Sequence, residues 1–296
     1  MLKEISLNDN ESKVLYEEIK KISNNYTPSN VESYKNTLKC IEKYVPDKVR
    51  NNINLINKGL YDAILIKNLP IEKDIPNTPS DSKNIPYLPI SDTTILLISG
   101  MVGQVFNLDG RIQIYENQVH NLFPIRAIKD AQLGGGSTFL DWHIEDAFHE
   151  KAPQYCSLLC IRSDNKTKTL ISFLDDLCIP DELEKILKQP RFKIEYDETF
   201  KDEYKKLPLI TPIILENESK RKYIKIDYPV TYGIDEESQK ALYDLKVIIN
   251  KNKKELSLEE GDLLLFNNLK IIHARTAYIP NYEGEGRWLK RTMIMI

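Results

Sequence analysis

The chain has 296 residues, enough for one large domain or two small ones with a sizeable core. Apolar residues make up 41% and charged residues 29%, and a net charge of −3 without a long basic run excludes a nucleic-acid scaffold. No apolar run is long enough to cross a bilayer as a helix, which excludes a membrane partner of that kind.

The N-terminus, M-L-K-E-I-S-L-N-D-N-E, has no apolar core and no small-residue cleavage site. Four cysteines (Cys40, Cys156, Cys160 and Cys178) show no C-x-x-C spacing, which fits buried thiols in a reducing, cytoplasmic setting. Glu11 to Ser23 carries Val14, Leu15, Ile19 and Ile22 at helical spacing. Further helices are expected at Ser29 to Tyr44, ending before Pro46, and at Asp47 to Asn57, after which Gly59 breaks the pattern. Tyr61 to Leu69 reads as a buried strand, and the proline-rich run from Pro70 to Pro89 as loop. Ser91 to Phe106 returns to helical spacing, with Asp92 as its cap.

Beyond this point short β-like runs alternate with turn signals. They are Arg111–Tyr115, Phe139–His143, Tyr155–Arg162, Thr169–Leu174, Tyr223–Ile226, Asp262–Asn267, Ile271–Ala274 and Trp288–Ile296. Helices are expected at Pro180–Gln189 and Glu236–Asn250. The pattern predicts a helical N-terminal layer on a double sheet, a sandwich or a barrel.

Residues 140–149 read L-D-W-H-I-E-D-A-F-H. On a strand the period of two puts His143 and Glu145 on one face. An imidazole and a carboxylate side by side are two thirds of the facial triad that holds non-haem Fe(II). The third ligand must come from elsewhere, and with four histidines the candidates are His120, His149 and His273. The pair by itself also fits a surface His and Glu near a turn.

Near the C-terminus, Gly261-Asp262 leads an apolar strand, Asn267-Asn268 a turn, and a second strand ends at His273, which predicts a hairpin-like arrangement. Arg287 and Arg291 follow, an even separation that puts both on one side of a strand. An arginine facing an apolar interior needs an anion there, and a dicarboxylate cosubstrate would supply it in bidentate geometry.

Four segments in this order resemble a known family: W-H-I-E-D-A-F-H at 142–149, G-D-L-L-L-F-N-N at 261–268, I-H-A-R at 272–275 and G-R-W-L-K-R at 286–291. The family is the clavaminate synthase-like Fe(II)/2-oxoglutarate oxygenases, and within it the free amino-acid hydroxylases (viomycin-type arginine β-hydroxylases and asparagine oxygenases). Weaker likeness runs from about Tyr61 to the C-terminus. The resemblance implies one domain over residues 1–296, mainly β with flanking helices. Its core would be a double-stranded β-helix (jelly roll) over about 107–296, with a helical N-terminal layer over about 1–106.

It also implies Fe(II) held by His143, Glu145 and His273, with 2-oxoglutarate and O2 as cosubstrates. Arg287 would grip the distal carboxylate of 2-oxoglutarate, with Thr169 as hydroxyl partner. Arg291 would take the α-carboxylate of a small amino-acid substrate. Asn107, with Gln104 as its rival, would join Glu145 at the α-amino group. Asp227 would meet a guanidinium or ammonium side chain, so arginine or lysine is expected. His149 carries no metal role in the pattern, and His120 reads as an ordinary, partly exposed histidine. A glutamate at position 145 favours hydroxylation over halogenation, since related halogenases carry a small residue there. The polar stretch from Asp197 to Lys222 is either a lid over the substrate or a solvated surface. Other readings are an oxygenase acting on a carrier-bound substrate or by desaturation, a zinc hydrolase, and a non-catalytic protein. The oligomeric state has no sequence signal.

Overall fold

In a computed structural model, residues 1–25, 31–112, 115 and 117–296 are described, the side chains of 31–33 excepted. A seven-stranded sheet runs in the order Leu2–Ser6, Ala63–Lys67, Leu263–Asn267, Tyr155–Arg162, Trp288–Met295, Gln104–Phe106, with His120–Leu122 also paired to Trp288–Met295. A four-stranded sheet runs Lys254–Leu256, Thr169–Phe173, Ile271–Arg275, Leu140–His143. Its pairs are all antiparallel.

Strand periodicity decides what each face meets. Along the central strands, Leu158, Cys160, Leu264, Phe266, Leu289 and Met293 pack with Ile171, Phe173 and Ile271 of the smaller sheet. The alternate residues Leu159, Ile161, Leu263, Leu265 and Trp288 turn the other way, toward helices Asp9–Ser23, Asp47–Asn57 and Pro89–Gly100. Both faces of these strands are therefore buried, and this is why their sequences run apolar without alternation. On the outside of the smaller sheet, Leu170, Ile272 and Ala274 pack with Leu187 of helix Asp181–Leu187 and with Leu242, Leu245 and Ile249 of helix Glu236–Lys251. The molecule is mainly β with flanking helices, as expected.

Most expected elements are present with small shifts in their ends. Helix Asp47–Asn57 and strand Tyr155–Arg162 match residue for residue. The expected helix from Ser29 is described only from Val31, where it runs to Ile41, and residues 29 and 30 lie outside the described residues. Residues 113 and 114 of the expected Arg111–Tyr115 strand also lie outside them; Arg111 itself bridges Phe200.

Two expectations fail. The Ser91–Phe106 helix is Pro89–Gly100 followed by strand Gln104–Phe106. A Cβ on Gly103 would lie 2.3 Å from the Met295 carbonyl oxygen, so the glycine lets this strand close onto the sheet edge. Asp92 is not the cap. Glu72 accepts from the Ile90 and Ser91 amides at 2.7 and 3.2 Å, while Asp92 forms a buried ion pair with Lys290 at 2.6 Å. The second failure is the hairpin: Leu263–Asn267 and Ile271–Arg275 lie in different sheets. The turn at Asn267-Asn268 carries the chain across the sandwich, which is how His273 comes to sit opposite His143.

Candidate active site

His143 ends strand Leu140–His143, and its register partner on the neighbouring strand is His273. The two rings lie 4.1 Å apart between centroids. Glu145 is past the strand end, in the turn where Asp146 adopts φ 54°. Its direction is fixed by its backbone. Asn268, fully buried, accepts from the Glu145 amide at 2.8 Å and donates to the Glu145 and Pro153 carbonyls at 3.1 and 2.9 Å. The Glu145 carboxylate thus reaches His273 Nε2 at 3.4 Å and His143 Nε2 at 3.9 Å.

One donor atom from each of His143, Glu145 and His273 lies within 4.8 Å of the others, all three residues buried. The His143 tautomer is settled by its surroundings: Nδ1 lies 2.7 Å from the Asp141 carbonyl and must donate, leaving Nε2 free to ligate. Burial and the neighbouring His143 push His273 down to about 4, so its ring is neutral. Burial would raise the Glu145 carboxyl, but Arg291 and the two imidazoles outweigh it and hold it well below the usual range. Two imidazoles and one carboxylate on one side of a cavity fit a divalent transition metal with open positions.

The cavity holds about 800 Å³ of empty space, its mouth included, and the three residues line it together with Arg287, Arg291, Thr169 and Asp227. Arg287 is nine-tenths buried, and its guanidinium has neither hydrogen bond nor ion pair among the described residues. A buried guanidinium left so is costly without an anion. Thr169 lines the same cavity, on the strand opposite Arg275. Arg291, four residues on and roughly 13 Å further along an extended strand, donates from Nη1 to Glu145 Oε2 at 2.5 Å.

Of the rest of the wall, only Asp227 was expected from the sequence. Arg111 is buried and paired with Asp146, and it donates to the Thr199 hydroxyl at 3.1 Å. Asp197 accepts from the Thr199 amide and hydroxyl at 2.9 and 2.5 Å. Asp227 bridges His143 through the backbone, and burial pushes its carboxyl up to about 8. Arg111, Asp146, Asp197, Thr199 and Asp227 all line the cavity. Asp146 lies inside the W-H-I-E-D-A-F-H motif beside Glu145, whereas Arg111, Asp197 and Thr199 adjoin none of the four motifs.

Asn107 is not on the cavity lining. Its amide donates to the Tyr115 carbonyl at 2.7 Å and accepts from Arg111 Nε at 3.1 Å. Its rival Gln104 is exposed on an edge strand. His120 corrects the expectation of partial exposure: it is 1% exposed and touches Arg291. His149 stays off the triad; its Nδ1 accepts from the Lys151 amide at 2.9 Å and its ring stacks near Phe200.

A family model described as taurine catabolism dioxygenase TauD, TfdA family, matches residues 172–293. The chain resembles these dioxygenases in sequence. An enduracididine beta-hydroxylase of Streptomyces hygroscopicus is 26% identical over 284 residues, covering 84% of this chain and 82% of that protein. Among solved structures, an asparagine oxygenase in complex with Fe(II), 2S,3S-3-hydroxyasparagine and succinate superposes with a TM-score of 0.89 at 22% identity, covering 99% of this chain and 93% of the other. The non-heme iron oxygenase OrfP in complex with Fe, succinate and (3S)-hydroxy-L-Arg gives 0.85 at 23% identity, with 99% and 94% covered. The resemblance carried by the four sequence motifs is borne out. No helix among the described residues is long and apolar enough to cross a membrane.

Proposed function

We propose that the protein is an Fe(II)/2-oxoglutarate-dependent hydroxylase of a free L-amino acid with a basic side chain, arginine or lysine. The observation that carries this reading is the buried, unpartnered Arg287 in the same cavity as the His143, Glu145 and His273 cluster. A hydrolytic metal site has no use for that cation. Bound Fe(II), with 2-oxoglutarate and dioxygen, would supply the oxidant that inserts one oxygen atom into a C–H bond as 2-oxoglutarate becomes succinate and CO2.

His143, Glu145 and His273 hold the metal. Arg287, with the Thr169 hydroxyl beside it, binds the distal carboxylate of 2-oxoglutarate and fixes that molecule's direction in the cavity. Arg291 binds the substrate's α-carboxylate, and Glu145 meets its α-amino group. At the far wall the charges favour a cation. Arg111 is neutralised by Asp146, whereas Asp197 and Asp227 have no ion-pair partner among the described residues. A guanidinium or ammonium group would supply the missing charge at Asp227, which places the C–H bonds between the two ends near the metal. Asn107 is set aside as a substrate contact because its amide is engaged elsewhere.

We read residues 1–296 as a single domain, a double-stranded β-helix with a helical layer formed by the first hundred or so residues, working in the cytoplasm on a small-molecule substrate. The test is succinate formation by purified protein with Fe(II), ascorbate, oxygen and 2-oxoglutarate against a panel of free L-amino acids. Stimulation by L-arginine or L-lysine, with hydroxylated product, is expected. Stimulation by neutral amino acids alone would remove Asp227 from its role, and no succinate with iron bound would overturn the reading.

A further inference from the structure

His120 and its neighbours form a buried polar chain behind the substrate pocket that the proposed reaction leaves without a role. His120 opens strand His120–Leu122, and its register partner on strand Trp288–Met295 is Arg291. Residues directly opposite on an antiparallel pair present their side chains to the same face. His120 Nδ1 lies 2.9 Å from Arg291 Nη2 and 3.3 Å from Arg291 Nε. A guanidinium has no acceptor, so Nδ1 must accept and the ring proton must sit on Nε2.

The other side of the ring agrees. Nε2 lies 3.2 Å from Asn107 Oδ1. That oxygen is identified by two independent contacts: the amide nitrogen donates to the Tyr115 carbonyl at 2.7 Å, and Oδ1 accepts from Arg111 Nε at 3.1 Å. The Tyr115 ring closes the cluster, 5.3 Å from the His120 ring and 5.6 Å from the Arg291 guanidinium carbon.

We propose that His120, as the neutral Nε2–H tautomer, is a positioning residue that fixes the Arg291 guanidinium for the substrate's α-carboxylate. The proposal rests on the amino-acid reading of the pocket. Counting N–H groups shows why the position matters. Nε and one N–H of Nη2 go to His120, and one N–H of Nη1 goes to Glu145 Oε2. One N–H remains on each terminal nitrogen, the pair that grips a carboxylate in bidentate fashion. Burial and the adjacent guanidinium of Arg291 also press His120 well below the usual histidine range, in keeping with a neutral ring.

Side-chain isosteres separate the two ring nitrogens. In His120→Asn the amide oxygen stands near the place of Nδ1, in His120→Gln near that of Nε2, and His120→Leu removes both. With L-arginine and L-lysine as probes, H120N should keep the amino-acid KM within about threefold, while H120Q and H120L raise it about tenfold or more. The KM for 2-oxoglutarate should stay unchanged in all three. Nitrogen NMR of the full-length, metal-free protein should show the His120 proton on Nε2 at neutral pH, and this needs no substrate. A proton on Nδ1 overturns the proposal, as does an equal KM rise in H120N and H120L, or H120Q retaining the KM that H120N loses. If the unaltered protein turns over neither amino acid, the reading of a basic substrate fails, and the imidazole spectrum still decides the His120–Arg291 contact.

Discussion

Arg291 Nη1 donates to Glu145 Oε2 at 2.5 Å, with both side chains buried. The other carboxylate oxygen, Oε1, is the one that faces His273 and His143. Arg291 therefore engages Oε2, leaves Oε1 on the side of the two imidazoles where a metal would be held, and offsets the carboxylate charge. Replacing Arg291 by Gln should weaken Mn(II) or Fe(II) affinity by roughly 10- to 100-fold, in the range seen for lost partners of metal ligands. It should also raise the amino-acid KM. Metal affinity is read by calorimetry of the chelator-treated protein. Unaltered affinity would mean that the pair has no part in metal binding.

Arg287 predicts two effects of opposite sign. Its guanidinium is buried without a partner, so Arg287→Met should leave the melting temperature of the ligand-free protein unchanged or raise it. The same change should weaken 2-oxoglutarate binding by about 2 kcal/mol or more, the usual cost of removing one member of a buried charge pair. Thermal melts with and without 2-oxoglutarate check both at once. A strongly destabilised ligand-free variant would make Arg287 a structural residue.

In the proposed reading Asp227 carries the preference for a basic side chain. In the empty pocket burial pushes its carboxyl up to about 8, and a bound cation would hold it ionised. Asp227→Asn should raise the KM for L-arginine and L-lysine by roughly 10- to 100-fold and leave the KM for 2-oxoglutarate unchanged. An equal rise for both would point to a folding defect.

Acid should loosen the metal-free protein through its buried imidazoles. His273 is depressed to about 4, and His120 well below the ordinary histidine value. As pH falls through about 6.5 the unfolded chain takes up these protons first, so stability drops with pH until the folded value near 4 is reached. Above about 6.5 the two groups contribute no pH dependence. Asp227, raised to about 8, and His143, also raised, act in the opposite sense, so the His120 share is read by difference: on going from about pH 6.5 to about pH 4 in chelator, the melting temperature of the unaltered protein should fall relative to that of H120N.

The site was more legible in the sequence than the fold around it. His143 and Glu145 share a short motif, and their common direction survives although the strand ends at His143 and Asn268 aims the glutamate. His273 was one of three candidate histidines by the residues alone, and its role and that of Arg287 were implied by the family resemblance of the C-terminal segment. What failed depends on contacts remote in the chain. Leu263–Asn267 and Ile271–Arg275 look like a hairpin locally, but each finds its partners far away, at Ala63–Lys67 and Tyr155–Arg162 for one and at Thr169–Phe173 and Leu140–His143 for the other. Asp92 has the composition of a helix cap, yet Lys290 claims it. His120 lies in loop-like sequence, and only pairing with strand Trp288–Met295 buries it.

The most direct measurement is the fate of isotopically heavy dioxygen in a reaction with Fe(II), 2-oxoglutarate and L-arginine or L-lysine, followed by mass spectrometry. One heavy oxygen atom in the amino acid and one in succinate, formed in equal amounts and lost together in Glu145→Ala, is the expected result. Product oxygen drawn from water, or succinate formation that persists without Glu145, would contradict the assignment of this cavity to a 2-oxoglutarate-dependent hydroxylase.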